Sequence, residues 1–275
     1  MGARATGLRH RICALALGLG LALLTLSPAP ARSSDFGDWA ALVVAGDWRG
    51  AGGGPTLAFD NARRDIAKAI GKVGFTDDRI AQFSVNPVPA RRDAASLATA
   101  RDLYGTLARL SSDAPGCLIY LTSHGDPKGV LIGDQILPPG ILAAMLDRTC
   151  GTKPTVVVVS ACFSGVFVPA LAAPNRLVMT AARPDRTSFG CGEADTYPYF
   201  DECFLDEIDR HGDFGGLSGA VRACVAERER REGVTPPSEP QIWIGPQLRP
   251  MLPLMRFARP HSPPGERLGR LGGAP

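Results

Sequence analysis

The sequence predicts an α/β fold, a mainly parallel central sheet with helices on both faces. Three observations predict it. Two short apolar runs, 117–121 (Cys-Leu-Ile-Tyr-Leu) and the four valines 156–159, suit strands covered on both sides. Further apolar runs at 39–45, 80–85 and 177–181 alternate with stretches of helical period. Both of the first two runs stop at small or polar residues and then at a reactive side chain, His124 in one and Cys162 in the other. Open α/β sheets place their sites at such carboxyl strand ends. Of the 275 residues, 45% are apolar and 21% charged, which is ordinary for a globular chain. A net charge of only +3, with no basic stripe interleaved with aromatics, argues against a nucleic-acid partner.

In chain order, Arg4, Arg9 and Arg11 precede an uncharged apolar stretch, 12–26, and the small residues Ala29-Pro-Ala31. This is the pattern of a secretory signal peptide over 1–31, and it predicts export to a periplasmic or extracellular space. The stretch falls short of the ~20 residues a membrane span needs, so no stable span is expected after its removal. A short polar lead covers 32–37, and the first strand is expected at 39–45. Residues 46–55 hold five glycines and Pro55, a flexible loop at that strand's carboxyl end. Thr56 is placed to cap a helix whose apolar face is Ala62, Ile66, Ile70 and Val73, with Gly74 ending it.

A second strand at 80–85 and a turn at 86–89 lead to a helix expected over 94–110. After the strand ending at His124, the runs 130–132 and 135–137 flank Gly133-Asp134 and predict a small hairpin. A helix over 140–148 packs Ile141, Leu142, Met145 and Leu146, and the strand ending at Cys162 follows. After the strand 177–181 comes a loop, 184–199, expected to lie over the site. Helices are expected at 200–210 and 217–232 and a last short strand at 241–245. The domain is thus expected to span 36–246, with a loosely ordered Pro/Arg/Gly-rich tail over 247–275.

If the two strands are neighbours and parallel, His124 and Cys162 meet at one sheet edge. A cysteine nucleophile needs a base or ion-pair partner and amide hydrogens for the oxyanion. The backbone N–H groups of Gly125 and Cys162 are the expected donors. A buried structural cysteine and a core or surface histidine are the blander readings, and the matching layout of the two strand ends weighs against them.

Ser-His-Gly at 123–125 and Ser-Ala-Cys-Phe-Ser-Gly at 160–165 resemble the legumain-type cysteine peptidases, of the same clan as caspases and gingipains. The resemblance extends to Leu42-Val-Val-Ala-Gly46, Phe59-Asp-Asn-Ala-Arg-Arg-Asp65 and Thr180-Ala-Ala-Arg-Pro-Asp-Arg-Thr-Ser-Phe-Gly-Cys191. It implies a caspase-like three-layer sandwich and a bacterial-type, exported peptidase. It further implies a thioester mechanism carried by His124 and Cys162, peptide or protein substrates and no cofactor. By the same resemblance, Asn61, Ser160, Ser188 and Asp201 fall at the substrate pocket. The chain departs from the family there. Asn61 stands where the pocket arginine is expected, with Arg63 and Arg64 close by, and Ser160 stands where the family has an acidic residue. Cleavage after Asn or Asp is therefore one possibility among several, and Asp201 reads equally as an exposed loop carboxylate. The family's asparagine that orients the histidine has no clear counterpart unless Asn61 serves. The same thioester passed to an amine gives a ligase. A binding scaffold without efficient chemistry is a second class, and a cysteine esterase is a third. The esterase needs a G-x-[SC]-x-G elbow, whose first glycine is Ser160 here.

Without the signal segment six cysteines remain: 117, 150, 162, 191, 203 and 224. Export permits disulfides. One pair among Cys191, Cys203 and Cys224 is expected, with Cys117 buried and inert. The spacings match no zinc pattern, so no metal is expected.

Overall fold

The computed structural model describes residues 35–93 and 95–258. The signal segment 1–31 lies outside them, as does the tail from 259 onward. Among the described residues, the core is a seven-stranded sheet. Its strands are β1 (Ala40–Ala45), β2 (Ile80–Ser84), β3 (Ser96–Leu97), β4 (Cys117–Thr122), β8 (Thr155–Ser160), β9 (Arg176–Thr180) and β10 (Gln241–Ile244). Their spatial order is β10-β9-β8-β4-β1-β2-β3. Every pairing is parallel except that of β10, which closes one edge antiparallel to β9. A separate three-stranded sheet joins β5 (Gly125–Asp126), β6 (Gly129–Ile132) and β7 (Gln135–Leu137).

Alternate residues of each central strand face two different cores. Leu118, Tyr120, Val156 and Val158 join α1 (Ala58–Lys72), α6 (Tyr199–Ile208) and α7 (Phe214–Arg231). Cys117, Ile119, Leu121, Val157 and Val159 join α3 (Ala100–Ser111), α4 (Pro139–Thr149) and α5 (Phe167–Leu171). Burial on both faces is why these strands read as unbroken apolar runs instead of alternating ones. The fold is the expected α/β sandwich, a mainly parallel sheet with helices on both faces.

The strand order reverses between β1 and β4. From β1 the chain winds outward through β2 and β3; from β4 it winds the other way through β8 and β9. The gap between β1 and β4 is the topological switch point, where loops leave in opposite directions and open a crevice at the carboxyl ends.

Several expectations need correction. The helix expected over 94–110 begins only at Ala100, capped by Thr99, whose side chain accepts from the Asp102 N–H. Before it lie a short helix, α2 (Pro89–Arg92), and β3, which pairs with β2. On α4, Ile141 is 59% exposed and does not pack inward. The polar lead contains Phe36, fully buried in an aromatic cluster with Trp39, Phe75, Phe214 and Phe257. The expected loose tail is packed over its first stretch, because Leu248, Leu252 and Phe257 insert into the core on the α7 face. Cys117 is not a lone buried thiol: it is bonded to Cys150, and a second disulfide joins Cys203 of α6 to Cys224 of α7. Each closes a loop long enough to stabilise the fold by about 3–4 kcal/mol in the chain-entropy account. No helix among the described residues is long and apolar enough to cross a membrane.

Candidate active site

Register ends the two strands level with one another, and His124 and Cys162 each follow two residues on. In the β4–β8 pair Thr122 lies opposite Ser160, and the Ser123 N–H donates to the Ser160 carbonyl at 3.0 Å. Two residues beyond that pair come His124 and Cys162. Both emerge at the same level of adjacent strands, which run about 4.8 Å apart. Both side chains are half-buried. Glycine permits the approach of the two turns: a Cβ on Gly125 would lie 2.0 Å from the Cys162 carbonyl oxygen. Cys162 is followed by Phe163 in the left-handed region (φ 57°), a sharp turn that carries the chain away from the strand direction. A Ser164 hydroxyl accepting from the Ala182 N–H at 3.1 Å holds that turn.

Among the described residues, two main-chain N–H groups are left free of backbone partners here. The Leu131 N–H donates to the His124 carbonyl at 3.0 Å. Ladder alternation then makes Gly125 and Val130 the non-bonded pair, so the Gly125 N–H points away from β6. The Cys162 N–H has no acceptor among the described residues. The sulfur itself receives the Ser188 N–H at 3.3 Å, with the Ser188 carbonyl at 3.5 Å and hydroxyl at 3.6 Å. Ser188 thus lies against the Cys162 sulfur, brought there by the loop 182–198.

The partner that orients the histidine is one the side-chain pattern missed. His124 Nε2 lies 2.9 Å from the Arg49 carbonyl. A carbonyl only accepts, so Nε2 carries the hydrogen and the neutral ring keeps its lone pair on Nδ1. Phe59, from the first turn of α1, stands edge-on to the ring at 5.0 Å. Asn61 does not take this role: its amide donates to the Thr196 carbonyl at 3.2 Å, in a polar groove of about 350 Å³ that also holds Thr56, Arg91, Glu193 and Asp195.

Two other expected pocket residues lie under the site instead of lining an opening. Asp201 is fully buried and Ser160 is 2% exposed. The Asp201 carboxylate accepts from the Tyr120 hydroxyl at 2.6 Å and the Thr122 hydroxyl at 2.5 Å. Burial pushes its pKa up to about 6, against the opposing pull of hydrogen bonds from Thr122, Tyr120 and Ser160. Tyr120 is raised well above its ordinary value by burial and by the Asp201 charge. The exposed-loop reading of Asp201 is therefore wrong: it is a brace beneath both strands. Arg63 is likewise structural. It is fully buried and bound to Asp60, Gln82 and the Arg92 carbonyl. Arg64 pairs with Asp65.

A glycine-rich loop closes the far rim. The Glu193 carboxylate accepts from the Gly54 N–H at 3.0 Å. It is held below the usual carboxylate range by its own N–H, those of Gly54 and Gly52, and the nearby His124. Cys191 remains a free thiol, as does Cys162. Burial, with the charges of Cys162 and Asp195, pushes the Cys191 pKa up to about 12, so it stays protonated.

Comparison with known proteins bears on the family and on the fold. A sequence model of the Peptidase C13 family matches residues 106–215, a segment that includes both His124 and Cys162. No curated protein sequence matches the chain. Among solved structures, caspase-1 from Spodoptera frugiperda superposes with a TM-score of 0.55 at 14% identity, covering 79% of this chain and 91% of that one. At that identity the likeness concerns the fold. The family match supports a cysteine peptidase, and the structural likeness supports the fold.

Proposed function

We propose that this chain is an exported cysteine endopeptidase that cleaves by acyl transfer through Cys162 and His124. The observation that supports the reading is the shared register: adjacent parallel strands β4 and β8 end level with one another beside the switch point, and His124 and Cys162 each follow two residues on. Cys162 gives its thiol proton to His124 Nδ1, Sγ attacks the peptide carbonyl, and the carbonyl oxygen takes the negative charge opposite the N–H groups of Gly125 and Cys162. His124 Nδ1 passes a proton to the leaving amine as the C–N bond breaks, leaving a thioester. Water then gives its proton to Nδ1, attacks the thioester and releases the acid and the free thiol. An amine in place of water gives ligation by the same route.

Preference for asparagine or aspartate has little support from the pocket. Ser160 and Asp201 are sealed under the strands, and Asn61 is committed to Thr196. The polar groove containing Asn61, Glu193 and Asp195 is an open volume beside Pro55 and Thr56, at the end of the loop after β1. A peptide-library cleavage profile tests the function. The full chain should cut internal bonds, and an electrophilic peptide should label Cys162. Cys162→Ala should lower the rate by at least about a thousandfold. Absence of both cleavage and labelling in folded protein would favour the binding-scaffold reading.

A further inference from the structure

The loop leaving β1 is held by charge. Asp47, only 2% exposed, accepts from the N–H groups of Trp48 at 2.8 Å and Arg49 at 3.1 Å. It also accepts from Arg49 Nε at 3.0 Å and Nη2 at 3.3 Å. The guanidinium reaches on to the Gly133 carbonyl at 3.3 Å and to Asp134 at 3.2 Å. Both lie in the tight turn between β6 and β7, the hairpin that follows His124. Arg49 thus bridges the loop after β1 to the hairpin after β4, across the switch point. Its carbonyl sits within this bridge and accepts the His124 Nε2 hydrogen.

The two carboxylates on Arg49 are unequal. Asp134 is 92% exposed, and an ion pair so open to water contributes little. Asp47 is buried, and its four contacts fix both the main chain and the side chain of Arg49. Four donors to one carboxylate in a shielded site make a stiff joint.

We propose that Asp47 is a positioning residue: it locks Arg49 so that the Arg49 carbonyl holds the Nε2 hydrogen of His124 and keeps the Nδ1 lone pair available to the thiol and the leaving amine. The proposal rests on the peptidase reading for its consequence, though the geometry it concerns is measurable without catalysis. Asp47 bonds to Trp48 and Arg49, not to His124 or Cys162. It acts through Arg49.

The test uses the full chain, labelled with nitrogen-15, and reads the imidazole nitrogen shifts of His124, assigned by loss of the signal in His124→Gln. The wild-type ring should be the Nε2–H tautomer. Asp47→Asn should give a mixture of tautomers, whereas Asp134→Asn should leave the ring as it is. For peptide cleavage, Asp47→Asn should lower kcat about a hundredfold with KM nearly unchanged, the signature of a displaced catalytic group. Arg49→Lys keeps the charge but loses the forked contact. It should shift the tautomer part of the way, and it carries the test should Asp47→Asn fail to fold. Folded Asp47→Asn or Arg49→Lys protein with the wild-type tautomer would overturn the proposal. A shifted tautomer in a chain that cleaves no peptide would uphold the positioning role and refute the peptidase reading instead.

Discussion

Two buried carboxylates flank the reactive pair, and they are satisfied in opposite ways. Asp47, at the rim, meets a guanidinium and two amide hydrogens. Asp201, in the floor, meets only neutral hydroxyls, and its burial is uncompensated by any cation. A desolvated carboxylate with hydroxyl partners alone has its pKa raised by burial, as at Asp201. The rim is therefore a charged joint that sets direction, and the floor is a polar knot whose state depends on pH.

The boundary between rim and floor breaks most sharply at Gly125. Gly125→Ala places a methyl 2.0 Å from the Cys162 carbonyl oxygen, so the two turns must part. Peptide cleavage should fall about a hundredfold or more, read as kcat/KM, since a displacement near 1 Å is enough for that. Unfolding in urea should show a loss of about 2–4 kcal/mol.

The floor is tested by pH. The Asp201 pKa is 3.8 when free and about 6 when folded. The folded state therefore binds this proton more tightly, and between pH 4 and 6 stability falls as pH rises. Below that window the protonated form carries no penalty; above it the penalty is complete, at about 3 kcal/mol from a shift of roughly two units. Asp201→Asn should flatten that part of the stability curve in urea titrations at pH 4 to 8, and leave the His124 tautomer unchanged. A curve as steep in the variant as in the wild type would remove Asp201 from this role.

The smallest effect is expected at Glu193, an exposed carboxylate on the same rim. Glu193→Ala removes the acceptor of the Gly54 N–H, and hydrogen exchange at that amide should quicken about tenfold. Cleavage should change by less than that, because Asp47 still holds Arg49.

Much of this was legible in the residues. The strands ending at His124 and Cys162 announce themselves because a strand buried on both faces must be apolar at every position. Their pairing followed from parallel topology. What orients His124 was not legible, since a main-chain carbonyl belongs to no residue type, and the search for an asparagine side chain led to Asn61. The burial of Ser160 and Asp201 was equally hidden. A polar residue at a strand end looks the same whether it faces a pocket or a partner from a helix some forty residues on. Phe36, Leu248, Leu252 and Phe257 were missed for a related reason. They are isolated apolar residues in polar or proline-rich surroundings, and show no period until the core they fill is seen. Cys117 and Cys150 pair across one face of the sheet, at a separation of 33 residues that no spacing rule singles out.

Asp201 shares α6 with Cys203, two positions away, and Cys203 is stapled to Cys224 of α7. The helix that supplies the brace is thereby riveted to its neighbour by a covalent bond. Thiol reductants would undo that rivet and slacken the support below the sulfur and the imidazole while altering neither group chemically. Assays run in reductant to protect the Cys162 thiol would thus measure an enzyme whose foundation has been loosened.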